Sequence, residues 1–549
     1  MVSTVAVLGG GVAGMSAAHE LAERGFSVQL FEKRPVVGGK ARSIDVPNTA
    51  TGGRKPLPGE HGFRFFAGFY RHVIDTMARI PYAGQPDGVV GNLAETTRAG
   101  FARSGLSSII VPVRFPRSIE DMTATRGFLD FTRVGISLSD AMHFSNRLLT
   151  LLSSCNERRF AEWEEVSWWE FAGAATRSKA YQTFLADGMT RCFVAAQAQQ
   201  MSARSCGYIL LQLMSEFSPT RQMDRVLHGP TNDVWIDPWG QYLDQLGVDR
   251  RLAAEVKSIE CQGGRITGVT VLQDTQTQTV QADYYVAAFP VEVMQSLTTP
   301  AMKEADPGLA SLDRLVTRWM NGIQLYFEND FPIVHGHSMY MDSPFGLTSI
   351  SQQQFWSKAN LCDMGDGKAR GVLSIDISDW ETPGVLYGKT AMELSAEQVK
   401  DEVLAQLAAH LTQDGVNPLE EAKLCGWFLD PDIVYPNPTS VTNLEPLLIN
   451  TVGSWKIRPE AVSKIENLFL ASDYVRTHTD LATMEAANEA ARRAVNGILE
   501  ASGSKAERCG VWPLQEPLAF APLRQIDQWR FRHGRKNQFD QFGGSSAAS

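Results

Sequence analysis

Residues 5–43 read VAVLGGGVAGMSAAHELAERGFSVQLFEKRPVVGGKARS, with Gly9, Gly11 and Gly14 directly behind an apolar run. Thr4 to Leu8 is short, apolar and β-branched, the pattern of a buried parallel strand. Met15 to Arg24 is helical in pattern, with Ala17, Ala18, Leu21 and Ala22 on its apolar side, and Gly25 stops it. Ser27 to Phe31 is a second strand, closed by Glu32 with Lys33 beside it. Each part has a mechanical reason. Gly9 permits a tight turn, Gly11 lets the backbone approach a pyrophosphate, and Gly14 lets helix and strand pack closely. The helix N-terminus presents free N–H groups and partial positive charge to phosphates, and Val12 and Ala13, between the glycines, are counted with the cofactor-binding residues. Glu32 stands 18 residues after Gly14, near the spacing of an acid that binds ribose hydroxyls. A lone GxGxxG says little, but strand, helix, second strand and acid together predict a dinucleotide site.

The rest of the chain sets bounds. Its 549 residues exceed what one core serves, so two or three interleaved domains are expected. Composition is that of an ordinary globular protein, 44% hydrophobic and 20% charged. A net charge of −10 argues against a nucleic-acid partner, which needs clustered Lys and Arg. The seven cysteines are scattered without a CxxC. They read as reduced thiols of a cytoplasmic protein, mostly buried, and no metal site is expected. No secretory signal and no run of about 18 apolar residues is read. Peripheral membrane contact and oligomeric state stay open.

The segment after Glu32 resembles the GGR-type extension of FAD-binding oxidoreductases of the glutathione-reductase-like class: Gly38, Gly39, Lys40, Arg42 and Ser43. Lys40 stands where Arg is usual, and Lys lacks Arg's bidentate fork; Lys40 or Arg42 is expected near the pyrophosphate, with Gly39 in the turn. Downstream, the apolar strand Asn467 to Ala471, then Ser472-Asp473 and the helix TMEAANEAARRAVNGIL, resembles the C-terminal flavin motif of flavin amine oxidases and phytoene desaturases. That resemblance makes Asp473 the ribityl ligand and Thr483 and Met484 the start of a flavin-facing helix, although Ser472 replaces a common Gly. Val256, in RLAAEVKSIE, matches the residue that passes near the adenine. The implied fold is α/β: a glutathione-reductase-like, Rossmann-type FAD domain built from 1–75, 230–295 and 450–500. An α+β substrate domain with a helical cap, 76–229 and 296–449, is inserted into it.

Residues 134–220 are mostly helical in pattern, with Trp163, Trp168, Trp169 and Phe171 as either core or pocket wall. Residues 315–380 alternate as strands. In GEHGFRFFAGFYRH (59–72), Glu60, His61 and Arg64 are the dense polar cluster and the catalytic candidates. His61 or Glu60 handles a proton while a hydride moves to flavin N5, or Glu60 and Arg64 merely pair. GEHGFRFF, NGIQLYF, LTSISQQQFW, LSIDISDW and the 472–496 segment resemble a bacterial phytoene-desaturase-like branch that includes redox cyclases of polycyclic tetramate macrolactams. The resemblance implies non-covalent FAD and a large hydrophobic polyene-like substrate, with desaturation and reductive or redox-neutral cyclisation as options. NADPH, a quinone, oxygen or no external partner stay open for the electrons.

Two rivals remain. A flavin amine oxidase would place aromatics, for which Trp427 and Trp455 are candidates, beside a flavin-proximal Lys that does not stand out. A GDP-dissociation-inhibitor-like binder of prenylated protein would do no flavin chemistry, and the intact GGGVAG and GGKARS motifs count against it. In the C-terminal arm, 501–549, prolines 513, 517 and 522 predict an extended path. Arg530, Arg532, Arg535 and Lys536 form a basic cluster for docking, and GGSSAAS is expected to be disordered.

Overall fold

The computed structural model describes residues 2–113, 135–191, 196–215, 224–437 and 440–540. Cys192, parts of the expected helical stretch and the terminal GGSSAAS lie outside them. Thr4–Leu8 is the central strand of a five-stranded parallel sheet. The order is Asp249–Arg251, Ser27–Phe31, Thr4–Leu8, Tyr284–Ala287, Leu468–Leu470. Val5 to Leu8 are at most 1% exposed, because both faces of the sheet are covered; that is why the run is apolar without alternation.

The first helix starts at Val12 and runs to Glu23, three residues ahead of the sequence expectation. Gly11 is its extended N-cap (φ −72°, ψ −177°), and the Gly11 carbonyl accepts from the Met15 N–H at 2.9 Å. A Cβ on Gly14 would lie 1.8 Å from the Gly9 carbonyl oxygen, so only glycine allows this helix to sit so close to its strand. Helix Met484–Ala501 packs alongside, joined by the Asn488 amide donating to Ser16 Oγ at 2.8 Å.

A three-stranded antiparallel sheet, Ala254–Gln262, Arg265–Gln273 and Gln276–Val280, flanks this unit. The second large sheet has seven strands. Their order is Leu424–Leu429, Asn321–Phe327, Gly371–Ile377, Thr348–Ser351, His337–Tyr340, Arg98–Arg103, Leu106–Pro112. It is antiparallel except where His337–Tyr340 meets Arg98–Arg103. The last two strands escaped the sequence pattern, because Arg98, Gly100 and Arg103 interrupt its alternation.

The described part of 135–215 is helical, led by Leu138–Ser153, whose cap Ser137 accepts from the Asp140 N–H at 3.1 Å. Trp163, Trp168 and Phe171 form the core of this unit with Tyr181, and Trp168 stacks on Phe171 at 5.6 Å. These aromatics are packing, not cavity wall. The C-terminal arm is extended past Pro513 and Pro517, then turns helical over Ala521–Arg532. Pro522 sits in that helix's first turn, where its missing N–H costs nothing, so the fully extended path expected from the prolines gives way to a helix.

Candidate active site

A continuous cavity of about 670 Å³ runs between the two large sheets. One end is lined by Gly9, Gly11, Val12, Ala13, Glu32, Lys33, Gly39, Lys40 and Val256, and the middle by Asp473, Thr483 and Met484. His61 and Arg64 line the other part, with Phe63, Phe65 and Met320. Thus segments hundreds of residues apart in the chain share one wall.

The glycine end has the features of an anion cradle. No side chain caps the first turn of helix Val12–Glu23, so its leading amides keep unmet donors. A Cβ on Gly11 would meet nothing closer than Gly39 Cα at 3.8 Å; the space above Gly11 is a trough. Gly39 has φ +54° and its Cβ would come within 2.9 Å of Gly11 Cα, which closes the trough's far side with backbone. Glu32 orders this end: its Oε2 accepts from the Gly10 N–H at 2.8 Å and its Oε1 from the Arg34 N–H at 2.9 Å. Burial pushes the Glu32 carboxyl up against those two bonds. At Val256 the ladder with Arg265–Gln273 slips, so the backbone there is released from regular pairing.

Gly14, Arg42 and Glu60 do not line the cavity. Gly14 is covered by Gly9, as its packing role requires. Arg42 is 3% exposed and engaged behind the loop: it donates to Gly39 O at 2.6 Å, to Asp432 at 2.9 Å and to Glu445 at 3.4 Å. Of the two cations expected near a pyrophosphate, Lys40 faces the cavity and bonds the Pro446 carbonyl. Arg42 instead holds the Gly38–Gly39 turn from below. Glu60 ends the short strand Pro58–Glu60 and turns to the back, accepting from Thr231 Oγ1 at 2.5 Å and Gln352 Nε2 at 3.4 Å. It makes no ion pair with Arg64 within 4.0 Å among the described residues, so neither the cavity-facing proton role nor the simple Glu60–Arg64 pair describes it. Burial pushes its carboxyl up.

His61 does face the cavity, with Nδ1 2.6 Å from Asp430 Oδ2. Burial works against charge on Asp430, but His61 and the Asn321 amide, at 2.6 Å, hold its carboxyl below the ordinary range. His61, Asp430 and Asp432 bring ligand-type atoms within 4.8 Å of one another. Arg34 and Arg42 already pair with Asp432 and Asn321 with Asp430, so these charges are met by protein groups.

Asp473 follows strand Leu468–Leu470, and the Arg458 guanidinium binds its carbonyl. Thr483 caps helix Met484–Ala501 by accepting from the Ala486 N–H at 3.2 Å. Trp427 and Trp455, the candidate amine-flanking aromatics, are not in the cavity wall. Trp455 lies under Arg204 at 4.6 Å, and Trp427 under Lys400 at 5.6 Å. Sequence reading missed Asp376, Thr348 and His337, which line the cavity from the seven-stranded sheet. The available signal was an acid, Asp376, between Ile375 and Ile377 in a strand rich in apolar residues.

Fold and site together define an FAD-dependent oxidoreductase. The model of the family described as flavin containing amine oxidoreductase matches residues 12–499, and the chain belongs to that family. It is 24% identical over 542 residues to a zeta-carotene desaturase of Synechocystis sp., spanning 90% of this chain and 97% of that protein. It is 23% identical to a 15-cis-phytoene desaturase of Synechococcus elongatus, spanning 88% and 93%. Among solved structures, an oxidoreductase from Methanosarcina mazei is similar with a TM-score of 0.59 at 13% identity, over 90% of this chain and all of that one. Putrescine oxidase bound to putrescine gives 0.57 at 14%, over 91% and 99%; these two likenesses concern the fold alone. No helix among the described residues is long and apolar enough to cross a membrane.

Proposed function

We propose that this flavoprotein moves a hydride between the flavin and a carbon of a large, mainly apolar, polyene-like substrate. The observation that carries this reading is the single cavity that joins the glycine cradle to an apolar chamber walled by Phe63, Phe65, Phe69, Ile209, Met320 and Leu481. The desaturase relatives, matched over nearly their whole length, support a polyene.

The residues present fit FAD. Gly9, Gly11, Val12, Ala13 and Gly39 would hold the pyrophosphate with backbone N–H groups, and Lys40 would add a cation. Glu32, beside Lys33, would take ribose hydroxyls, and Val256 would meet the adenine side. Gly14 and Arg42 serve by packing and by bracing the turn. Asp473 would take the ribityl chain. The amides after Thr483 and Met484 would place partial positive charge at the pyrimidine end. Bound there, non-covalent FAD supplies a hydride donor or acceptor.

The chain's own part is to orient the substrate, exclude water and manage a proton. His61 is placed to hold that proton, with Asp430 Oδ2 2.6 Å from its Nδ1. Within this reading the resemblance favours desaturation, or redox cyclisation of a polyene tetramate macrolactam, with NADPH as the first donor to test. Anaerobic spectra of the flavin-loaded enzyme, with NADPH and then with candidate polyenes, test it. A polyene that changes the flavin's redox state supports the reading. Colourless protein, or peroxide released with amines, overturns it.

A further inference from the structure

We infer that Arg458 is a positioning residue for the flavin: from behind the cavity wall it clamps both ends of the segment that carries Asp473 to the ribityl chain and leads into Thr483. This rests on the FAD reading above, in which Asp473 meets the ribityl chain.

The wall of the cavity includes Ser472 and Asp473, and then Leu481, Ala482, Thr483 and Met484. Tyr474 to Asp480, between them, are not in it. The chain therefore leaves the wall after Asp473 and returns at Leu481. Arg458 closes the base of that excursion. It follows the short helix Ser454–Ile457 and is 2% exposed. Its Nη2 donates to the Asp473 carbonyl at 2.5 Å and to the Val475 carbonyl at 2.8 Å, and its Nε to the Tyr474 carbonyl at 2.9 Å. Its Nη1 donates to Asp480 Oδ1. One guanidinium thus holds three consecutive carbonyls at the outgoing end and a carboxylate at the returning end. A planar fork of five donors spans such a set, whereas the three protons of a Lys sit on one atom.

The returning end is fixed as well. Asp480 is 1% exposed and has φ +45°, a left-handed conformation that Asp adopts at some cost. Besides Arg458, its carboxylate accepts from Arg204, from Ser205 Oγ at 2.6 Å and from the Asn450 amide at 3.0 Å. Arg204 also donates to Glu164 at 2.8 Å, so the clamp is anchored in the helical unit. Burial works against the charge on Arg458, while Asp480 and Asp473 favour it. Two cations and two acids meet here out of water, an arrangement that holds only as a set. What it fixes is the main chain of Asp473, and with it the point where that side chain enters the cavity. A group held in place before the ligand arrives costs no ordering on binding.

The test uses the full-length protein stripped of flavin and reloaded with FAD, or with ADP, which carries the adenine and pyrophosphate but no ribityl chain. Arg458→Lys and Arg458→Gln are each expected to weaken FAD about tenfold and ADP by less than about twofold. Asp473→Ala is expected to weaken FAD about tenfold in the wild-type background and less than about twofold on top of Arg458→Gln, since the two residues act through one contact. A merely structural Arg458 would weaken both ligands alike and leave the two substitutions additive; either result, or unchanged FAD binding in Arg458→Gln, overturns the clamp. A measurement on the wild-type chain does not depend on any variant folding. The amides of Val475 to Asp480 should exchange with solvent equally slowly with and without FAD, because Arg458 rather than the flavin orders them. Protection that arises only on loading overturns the clamp. If Asp473→Ala alone leaves FAD binding intact, the clamp falls and the flavin reading stands; if the wild-type protein binds neither ligand, both fall.

Discussion

Gly11 and Gly14 lie three residues apart, yet the structure gives them opposite constraints. Gly14 is closed by protein: its Cβ would strike Gly9 O at 1.8 Å. Gly11 is open, with extended backbone that any residue adopts and free space to 3.8 Å. If the trough above Gly11 holds the pyrophosphate, Gly11→Ala fills the space the ligand needs without straining the fold. Apo Gly11→Ala is expected to be as stable as wild type or up to about 1 kcal/mol more so, through the reduced freedom of its unfolded chain. Its flavin content after purification should drop sharply. Gly14→Ala should cost about 3 kcal/mol or more by overpacking, with or without flavin. Thermal unfolding of the apo proteins, together with flavin-to-protein absorbance ratios, separates the two; equal apo destabilisation would remove the distinction. These glycines were legible in sequence because a strand, a helix and an acid at fixed spacing leave them few other uses. Asp376 was not, because an acid in a strand acquires meaning only from what faces it. Here that is Thr348, from a strand about 28 residues earlier, and Gly62, some 310 residues earlier.

Among the elements, helix Met484–Ala501 connects the cofactor end to the 59–72 loop. Glu485, in its first turn, is 2% exposed and receives three backbone amides of the next segment. Arg71 and His72 donate to Oε1 at 2.7 and 2.8 Å, and Val73 donates to Oε2 at 2.9 Å. Those amides open helix His72–Arg79, which has no side-chain cap of its own, so Glu485 serves as a cap delivered from another helix. Burial opposes its charge, but the His72 side chain and these amides hold its carboxyl below the ordinary value. Glu485→Ala leaves three donors unmet and is expected to cost more than about 2 kcal/mol, while Glu485→Gln, which keeps an acceptor, costs less. Urea unfolding at neutral pH ranks the two, and a Gln variant as weak as the Ala variant would show that charge, not capping, matters. The sequence announced this helix through its alanine-rich face, yet gave no hint that its first acid organises a segment more than 400 residues away. The seven-stranded sheet was likewise half legible, since Asn321–Phe327 and Gly371–Ile377 alternate apolar and polar residues while Arg98–Arg103 carries two arginines.

At the scale of the whole molecule, the C-terminal arm ties the parallel-sheet unit to the helical unit. On the flavin side, the Cys509 N–H donates to Asn496 at 2.7 Å and the Trp512 N–H to His72 Nε2 at 2.9 Å, with Arg71 and Arg492 over the Trp512 ring. On the helical side, Gln212 donates to the Gln515 carbonyl at 2.9 Å and Arg159 pairs with Glu516 at 2.6 Å. The far end is locked by Asp527, fully buried, which accepts from Arg158 Nε at 3.0 Å, the Cys155 N–H at 2.9 Å and Asn537 Nδ2 at 2.9 Å. Removing one member of a buried pair strands the other, so Asp527→Ala should cost about 3–5 kcal/mol and Asp527→Asn less. The loss should be local to what the arm holds. Hydrogen exchange is expected to rise over 138–163 and 512–537 while the strands Thr4–Leu8 and Tyr284–Ala287 stay protected, because the parallel sheet has its own core. Flavin content should then persist while the helical unit loosens over the chamber, and substrate KM should rise more than kcat falls. A cooperative loss of protection across both units would instead make the arm part of one indivisible core, and the cavity would then be held closed by the fold as a whole rather than by a strap.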